Sequence, residues 1–520
     1  MKARSVILVV FVSLVLDLLA FTIPLPLFPR IIEWYASREA ISSSADQTHT
    51  ILSSVLAGLR SFRATLVSYR SDGQPVVTNV HKKWDIILLG GFLGSIFSFC
   101  QYLVAPHIGG LSDKYGRKRV LLISMIGNLA SAGIWFQSTT FASYLLSRLV
   151  GGLSEGNVQL SIAIIADVTP ASTRSRALAL VGLAFSVCFT FGPALGAYFA
   201  SLPLPLSVSS DTSLLNRLNV YSYAAAITLV LITIETAFLA WKLPETRGWR
   251  LSPEEESSNT AKGAGREEER QVAMNVKERK RMVDELSALH RIFLFFFSGA
   301  EFTLTFLAYD LFGATNAQNG RLLGFIGVLS SLLQGGYTRR PSVSRYPLIL
   351  AHRGILSTSL GLLLLSLLPL SASSSGNESI PGKFSALILW SGAACLAFTS
   401  ASVVTGLTGF VSLLCDQDED QHVGSVEKRV EVEGKQKDKG EGEKLRKGKT
   451  LGGFRSAGQL GRALGPIFAC TTYWVLGPSF CYALSGSALA FVAFKARALI
   501  RREQDRSSEI EVGTEKSKIE

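Results

Sequence analysis

Twelve apolar stretches, each long enough to cross a bilayer as a helix, divide this sequence and constrain its fold more than any other feature. A hydrocarbon core about 30 Å thick needs about 20 apolar residues per helix. The stretches cover roughly residues 6–32, 86–108, 120–138, 141–166, 178–200, 219–242, 291–312, 321–338, 347–370, 384–414, 453–475 and 478–496. Since 48% of the residues are apolar and only 18% are charged, we predict an all-α polytopic membrane protein.

Basic residues set the predicted orientation of these helices. The net charge is +12, and most of the bases flank apolar stretches, which the positive-inside rule explains better than nucleic-acid binding. Lys2 and Arg4 precede the first stretch, and basic residues follow each even-numbered one. Both termini are therefore predicted to be cytoplasmic. The first outer loop, about 36–84, also carries bases, but long loops translocate largely regardless of charge.

The polar segments divide the chain into two halves. We predict an N-terminal six-helix half at 1–242, a cytoplasmic linker at 243–290 and a C-terminal half at 291–496. The second half contains a disordered insert at 416–450, and a cytoplasmic tail follows at 497–520. The sequon at Asn377 falls on the luminal side in this topology and is a glycosylation candidate.

The sequence offers no pattern for an enzyme, a metal or a cofactor. The six cysteines form no CxxC pair, and no nucleophile–base pair or metal cluster is recognisable. Gly448-Lys449-Thr450 resembles the end of a phosphate-binding loop, but Glu443 occupies the position of the required earlier glycine and no strand precedes it. We therefore predict no nucleotide site.

A polar run from Gly109 to Val120 is predicted to form a tight turn between the second and third helices. Two Gly-Pro pairs lie inside the fifth helix of each half: Gly192-Pro193, with Gly196 after it, and Gly465-Pro466. A Gly-Pro pair bends a membrane helix and permits close packing. Each pair alone is equally well explained as a packing kink, but the recurrence favours a hinge in two related halves.

These residues resemble the major facilitator superfamily. Gly109 to Lys118 is similar to its signature G-x-L-[AS]-D-[RK]-x-G-R-[KR], and Arg148 lies in a fourth-helix pattern like that of the family. Leu16-Asp17 with three following prolines looks like the drug:proton antiporter branch, and the animal tetracycline-transporter-like proteins are the most similar. The resemblance implies twelve helices in two pseudo-symmetric six-helix halves and organic-anion efflux. In the second half, the equivalent loop Gly335 to Arg340 keeps the bases but lacks the acid.

Ionisable residues inside the membrane are costly and mark function by default. Asp17 lies near the middle of the first helix, and Arg148 and Glu155 lie two turns apart on one face of the fourth. The resemblance implies that these two helices line the cavity, so Asp17, Arg148 and Glu155 are expected to meet there. Desolvation raises the pKa of a buried carboxyl group and a nearby arginine lowers it. The balance of the two effects can let a proton bind and leave near neutral pH. Asp17, Glu155 and Glu301 are the proton-coupling candidates, and the open alternative is a structural ion network.

Arg148 and Arg462 offer one forked cation from each half, which suits a carboxylate or sulfonate substrate. They and Gln459 are the substrate-binding candidates, unless each arginine pairs with a local acid. Arg455 is expected only to meet water or phosphate, and Glu235 to be interfacial or structural. The predicted gate comprises Gly109, Asp113, Gly116, Arg117, Lys118 and Asp167. Asp113 is expected to cap or pair with a neighbouring helix.

The sequence thus predicts a monomeric secondary transporter for amphipathic organic anions or drug-like solutes. It would exchange them for protons by alternating access in the plasma membrane or an intracellular membrane. The alternative is a non-transporting scaffold or receptor on the same fold, whose polar inserts bind partners.

Overall fold

The computed structural model describes residues 2–24, 31, 34–35, 50–68, 80–201, 222–249, 275–314, 316–373, 382–426 and 445–519. Helices are the only regular secondary structure in these ranges. The candidate Asn377 lies outside them.

A helix occupies each of the twelve predicted stretches. The helices are α1 (Ala3–Thr22), α2 (Val80–Tyr115), α3 (Arg117–Phe136), α4a (Phe141–Ser154) with α4b (Asn157–Val168), α5 (Ala171–Ser201), α6 (Ser222–Lys242), α7 (Val276–Phe312), α8 (Asn316–Leu332), α9 (Pro347–Ser366), α10 (Lys383–Val426), α11 (Lys447–Leu476) and α12 (Pro478–Ile519). Shorter pieces are the helices Ile51–Ser68, Pro341–Ser344 and Leu368–Ser373 and the π-helical turn Leu333–Tyr337. In the described ranges, ten spans are long and apolar enough to cross a membrane; α8 and the glycine-rich α11 fall outside this group.

Several predicted boundaries are wrong. The first helix ends at Thr22 rather than near 32, just before Pro24, which has no N–H to continue the helical hydrogen bonds. The seventh begins at Val276 rather than 291, since its early turns bury apolar side chains such as Leu286. The tenth continues through the start of the predicted insert, and the twelfth through the predicted tail, to Ile519. Residues 427–444 of the predicted disordered insert lie outside the described ranges.

The predicted turn between α2 and α3 is shorter than expected. Helix α2 continues through Gly109 and Asp113 to Tyr115, and α3 begins at Arg117. Gly116 alone leaves the helical path, with φ of +102°, a backbone conformation that side chains disfavour. Most of the motif therefore lies on the last turns of α2 and points its side chains at neighbouring helices.

Small residues set how closely the helices pack. A Cβ added at Gly461 or Gly465 of α11 would strike backbone carbonyls of α7, and one added at Gly192 of α5 would strike Thr22 of α1. Helices α5 and α11 each continue through their prolines. The glycines of both pairs therefore permit close packing, and the hinge role of Gly192, Pro193, Gly196, Gly465 and Pro466 stays a prediction.

Candidate functional site

Buried acids lie inside the first half. Asp17 of α1 is 8% exposed, and its Oδ1 accepts a hydrogen bond of 2.9 Å from Asn157 Nδ2 at the start of α4b. One turn earlier on α1, Ser13 donates to Oε1 of Glu235 on α6 at 2.7 Å. Glu235 is fully buried, so of the two expectations for it, interfacial or structural, the structure favours the structural one. Two carboxyl groups are thus held within the six-helix half.

The fourth helix breaks beside these acids. Glu155 has extended backbone geometry between α4a and α4b, and its side chain accepts from Asn128 Nδ2 at 3.3 Å. The Ser124 hydroxyl donates to the Ser154 carbonyl freed by the break. Backbone that leaves a helix at membrane depth is tolerated where side chains satisfy its polar groups or it lines a cavity. The break therefore separates Glu155 from Asn157, which faces Asp17.

The cation that acts on these acids comes from the second half. Arg455 of α11 interacts electrostatically with both Glu155 and Asp17. The expectation that Arg455 only meets water or phosphate is therefore wrong, because two acids of the other half lie within its electrostatic reach. Two acids of the first half and one arginine of the second thus lie within electrostatic reach of one another.

Arg148 lies elsewhere. Its guanidinium stands 5.5 Å from the ring centroids of both Trp135 and Tyr144, within an aromatic cluster that also contains Tyr35. Its Nε is buried and has no hydrogen-bond partner among the described residues. The structure does not bring Arg148 together with Asp17 and Glu155, because its guanidinium lies over the rings of Trp135 and Tyr144 instead.

Glu301 and Arg462 face each other across α7 and α11. Arg462 Nη2 lies 3.7 Å from Glu301 Oε2, and the two side chains are 41% and 51% exposed. Gln459 lies between Arg455 and Arg462 on α11 and is buried. The structure therefore favours the alternative in which Arg462 pairs with a local acid. An exposed pair of this kind contributes about 0–1 kcal/mol and is easily exchanged for another partner.

Asp113 joins the two halves. Its Oδ1 accepts from the backbone N–H of Gly448 and its Oδ2 from that of Lys449, both at 2.8 Å. These are N–H groups of the first turn of α11, which have no partner within their own helix. A carboxylate at this place also interacts favourably with the positive end of the helix dipole. We call this contact the latch, and the end of the bundle that carries it the latch end.

Buried ion pairs hold the latch carboxylate in place. Arg117 donates to Asp113 Oδ1 at 2.7 Å and to Asp167 Oδ2 at 2.9 Å. Lys447, the first residue of α11, lies 3.5 Å from Asp167 Oδ1. All four side chains are at most 10% exposed. Two acids and two bases thus compensate one another, as buried charges require.

The first half caps its own helix ends at the same place. Glu245 accepts from the N–H groups of Arg117 and Lys118 at 2.7 and 3.2 Å, which caps α3. Lys118 Nζ donates to the Ala240 carbonyl at 2.8 Å, which caps α6, and Arg247 donates to the Lys114 carbonyl at 2.6 Å, which caps α2. These three caps join helices of the first half to one another or to the start of the linker that follows α6, whereas Asp113 caps a helix of the other half.

Two glycines let the latch close. A Cβ added at Gly109 would meet the Gly448 carbonyl oxygen, and one added at Gly448 would meet Arg117, Gly109 and Asp113. The close approach of α2 and α11 therefore requires glycine at both positions.

Sequence reasoning missed several of these partners. In the sequence, Gly448 and Lys449 were considered only as part of a phosphate-binding loop, which was rejected. A glycine among basic residues at the start of a helix nevertheless indicates that the helix end can bind an anionic group. Asn128 and Asn157, polar residues in apolar stretches, were also detectable from the sequence.

Comparisons with known proteins agree with this architecture. The family model described as Major Facilitator Superfamily matches residues 10–426. Major facilitator superfamily domain-containing protein 10 of Mus musculus is 31% identical over 505 residues, covering 94% of this chain and 92% of the relative. The crystal structure of the human organic anion transporter MFSD10 (TETRAN) superposes with a TM-score of 0.70 at 28% identity, covering 95% of this chain and 100% of that one. Tetracycline resistance protein, class H, of Pasteurella multocida is 33% identical, covering 22% of this chain and 28% of that relative.

Proposed function

Because the chain belongs to the Major Facilitator Superfamily, we propose that it is a secondary transporter that exchanges amphipathic organic anions for protons. The observation that carries the proposal is the set Asp17, Glu155 and Arg455, which the two halves bring together inside the bundle. A proton on either acid removes the attraction of that acid for Arg455. Protonation would thereby change the contact between the two halves.

Two observations support an organic anion as the substrate: a partly exposed arginine, Arg462, and the description of a similar human protein. Arg462 is partly exposed, and its ion-pair partner among the described residues is the exposed Glu301, so an incoming carboxylate or sulfonate can replace that partner. The human relative is described as an organic anion transporter. We extend that class of substrate to this chain, with Arg462 and the neighbouring Gln459 as its first contacts.

In alternating access, the latch would close one end of the central cavity. The latch end is closed by Asp113 and the first turn of α11, and the basic residues around it favour a cytoplasmic location. Both termini would then be cytoplasmic, and the conformation described here would face outward. One chain suffices as the transport unit, since both halves contribute to the set of charges.

Flux in proteoliposomes tests the proposal. The full chain is reconstituted with labelled organic anions and, in parallel, organic cations, and efflux is measured with and without a pH gradient. We expect anion flux that rises with the gradient, and an Asp17→Asn variant whose remaining flux no longer follows it. Flux of the wild type that ignores the gradient, or unchanged coupling in the variant, would show that proton exchange is wrong.

A further inference from the structure

Arg339 occupies the position in the second half that Asp113 occupies in the first. The run Gly335-Gly336-Tyr337-Thr338-Arg339 aligns with Gly109-Gly110-Leu111-Ser112-Asp113. The first-half run lies on the last turns of α2, and the second-half run lies in the π-helical turn and loop directly after α8. A carboxylate in one half thus corresponds to a guanidinium in the other. The sign of the charge is inverted at an equivalent place.

The described neighbours of Arg339 do not balance its positive charge with a negative one. Desolvation and the neighbouring Arg176, near the start of α5, lower the pKa of the Arg339 guanidinium. Its Nε is buried without a hydrogen-bond partner among the described residues. Around Asp113, by contrast, Arg117 and Lys447 are matched by Asp167. Two arginines therefore lie near each other, and no described carboxylate forms an ion pair with either.

The segment of sequence that contains Arg339 has no acidic residue that could pair with it. The chain contains no Asp or Glu between Asp310 and Asn377, and within the described ranges no ion pair reaches Arg176, Arg339, Arg340 or Arg353. Arg353 of α9 donates to the Tyr337 hydroxyl at 3.3 Å, which places it beside the same loop. We call these four arginines the basic corner.

The basic corner adjoins apolar surface. Leu332 at the end of α8 is 68% exposed and Tyr346 before α9 is 52% exposed. A Cβ added at Gly336 would meet nothing within 4 Å, so there is open space beside the loop. Exposed apolar and aromatic side chains beside arginines at helix ends are typical of a surface that meets lipid headgroups.

We propose that the basic corner binds an anionic phospholipid whose headgroup carries a phosphomonoester, and that its phosphate takes the place of the missing carboxylate. A phosphomonoester bears up to two negative charges and three acceptor oxygens, which matches two guanidinium groups that lack an acid. The acyl chains would lie along the exposed apolar surface beside Leu332.

Lipid binding in nanodiscs tests the proposal independently of transport. The full chain is placed in phosphatidylcholine nanodiscs containing phosphatidylinositol 4-phosphate or, as the matched lipid, phosphatidylinositol, which lacks the phosphomonoester. Retained lipid is quantified by native mass spectrometry. We expect a preference of at least about tenfold for the phosphorylated lipid. We also expect Arg176→Gln/Arg339→Gln/Arg340→Gln to abolish it.

The controls separate a local site from general charge. Arg4→Gln/Arg119→Gln/Arg501→Gln removes the same charge from exposed residues and should keep the preference. Arg339→Asp places at this position the acid found in the first half, and it should abolish the preference for the phosphorylated lipid. This single substitution tests the site independently of whether the triple variant folds. The proposal is overturned if wild type shows no preference, if Arg339→Asp retains it, or if the control variant loses it. It is also overturned if free inorganic phosphate at millimolar concentration displaces the lipid completely.

Discussion

The carboxylate of Asp113 in the first half accepts the backbone N–H of Gly448 in the second at 2.8 Å. With the bond to Lys449, this contact caps α11 from α2. The strength of the closed state therefore depends on a side chain of one half and a helix end of the other.

Asp113→Asn should weaken the latch. An asparagine has one acceptor oxygen and no charge, so one N–H of α11 loses its partner and the interaction with the helix dipole falls. We expect the closed state to lose about 1–2 kcal/mol, or about 5- to 30-fold in population. Labelling of a cysteine at Ser456, a buried residue whose hydroxyl contacts the Tyr102 carbonyl, measures the change.

Glu245→Gln is the matched control for this variant. Glu245 also caps a helix with its carboxylate, but the helix belongs to the same half. The thermal stability should fall, while labelling at Ser456 should stay near the wild-type rate. Equal labelling in both variants would mean that Asp113 stabilises only its own half.

Gly448→Ala should prevent closure. The added methyl group meets Arg117, Gly109 and Asp113, and the Gly109 carbonyl belongs to backbone that cannot turn away. We expect transport to fall by about 5- to 150-fold, as overpacking costs of about 1–3 kcal/mol predict. Gly453→Ala, one turn along α11, adds a methyl group where nothing lies within 4 Å and should transport normally. Normal flux in Gly448→Ala would remove the basis for the latch.

Arg455→Gln should impair coupled transport far more than Arg148→Gln. Arg455 is the described cation that acts on both Asp17 and Glu155, and its loss leaves two buried acids without compensation. We expect coupled flux to fall at least about tenfold. Arg148 contacts aromatic rings, so its variant should lose about 1 kcal/mol of unfolding free energy and keep its coupling. The opposite ranking of the two fluxes would restore Arg148 as the central cation.

Glu301→Gln should increase the affinity for an organic anion. Removing the carboxylate frees Arg462, while the loss of an exposed pair changes the unfolding free energy by at most about 1 kcal/mol. We expect the KM for the anion to fall by about two- to fivefold and that of Arg462→Gln to rise. A KM that does not respond to either change would place substrate binding elsewhere.

The sequence predicted the twelve helices and the general position of the gate, because apolar length and charge at helix ends are local properties. It grouped Asp113, Arg117 and Asp167 in the gate, but it did not predict the ion pair between Asp113 and Arg117, which forms across the helix break at Gly116. It assigned Arg148 rather than Arg455 to the acids, because the direction of a side chain depends on the break at Glu155 and on the packing of α11. Long-range contacts of this kind follow from tertiary packing, which periodicity does not contain.

The latch also has a consequence for how its partners vary between sequences. Asp113 bonds to main-chain N–H groups, which every residue except proline possesses. Residue 449 can therefore be substituted without changing the N–H group that Asp113 accepts from. Of the two donor residues, residue 448 alone must stay glycine, because there is no room for a side chain there. A search for paired substitutions of complementary side chains would accordingly overlook this connection between the two halves.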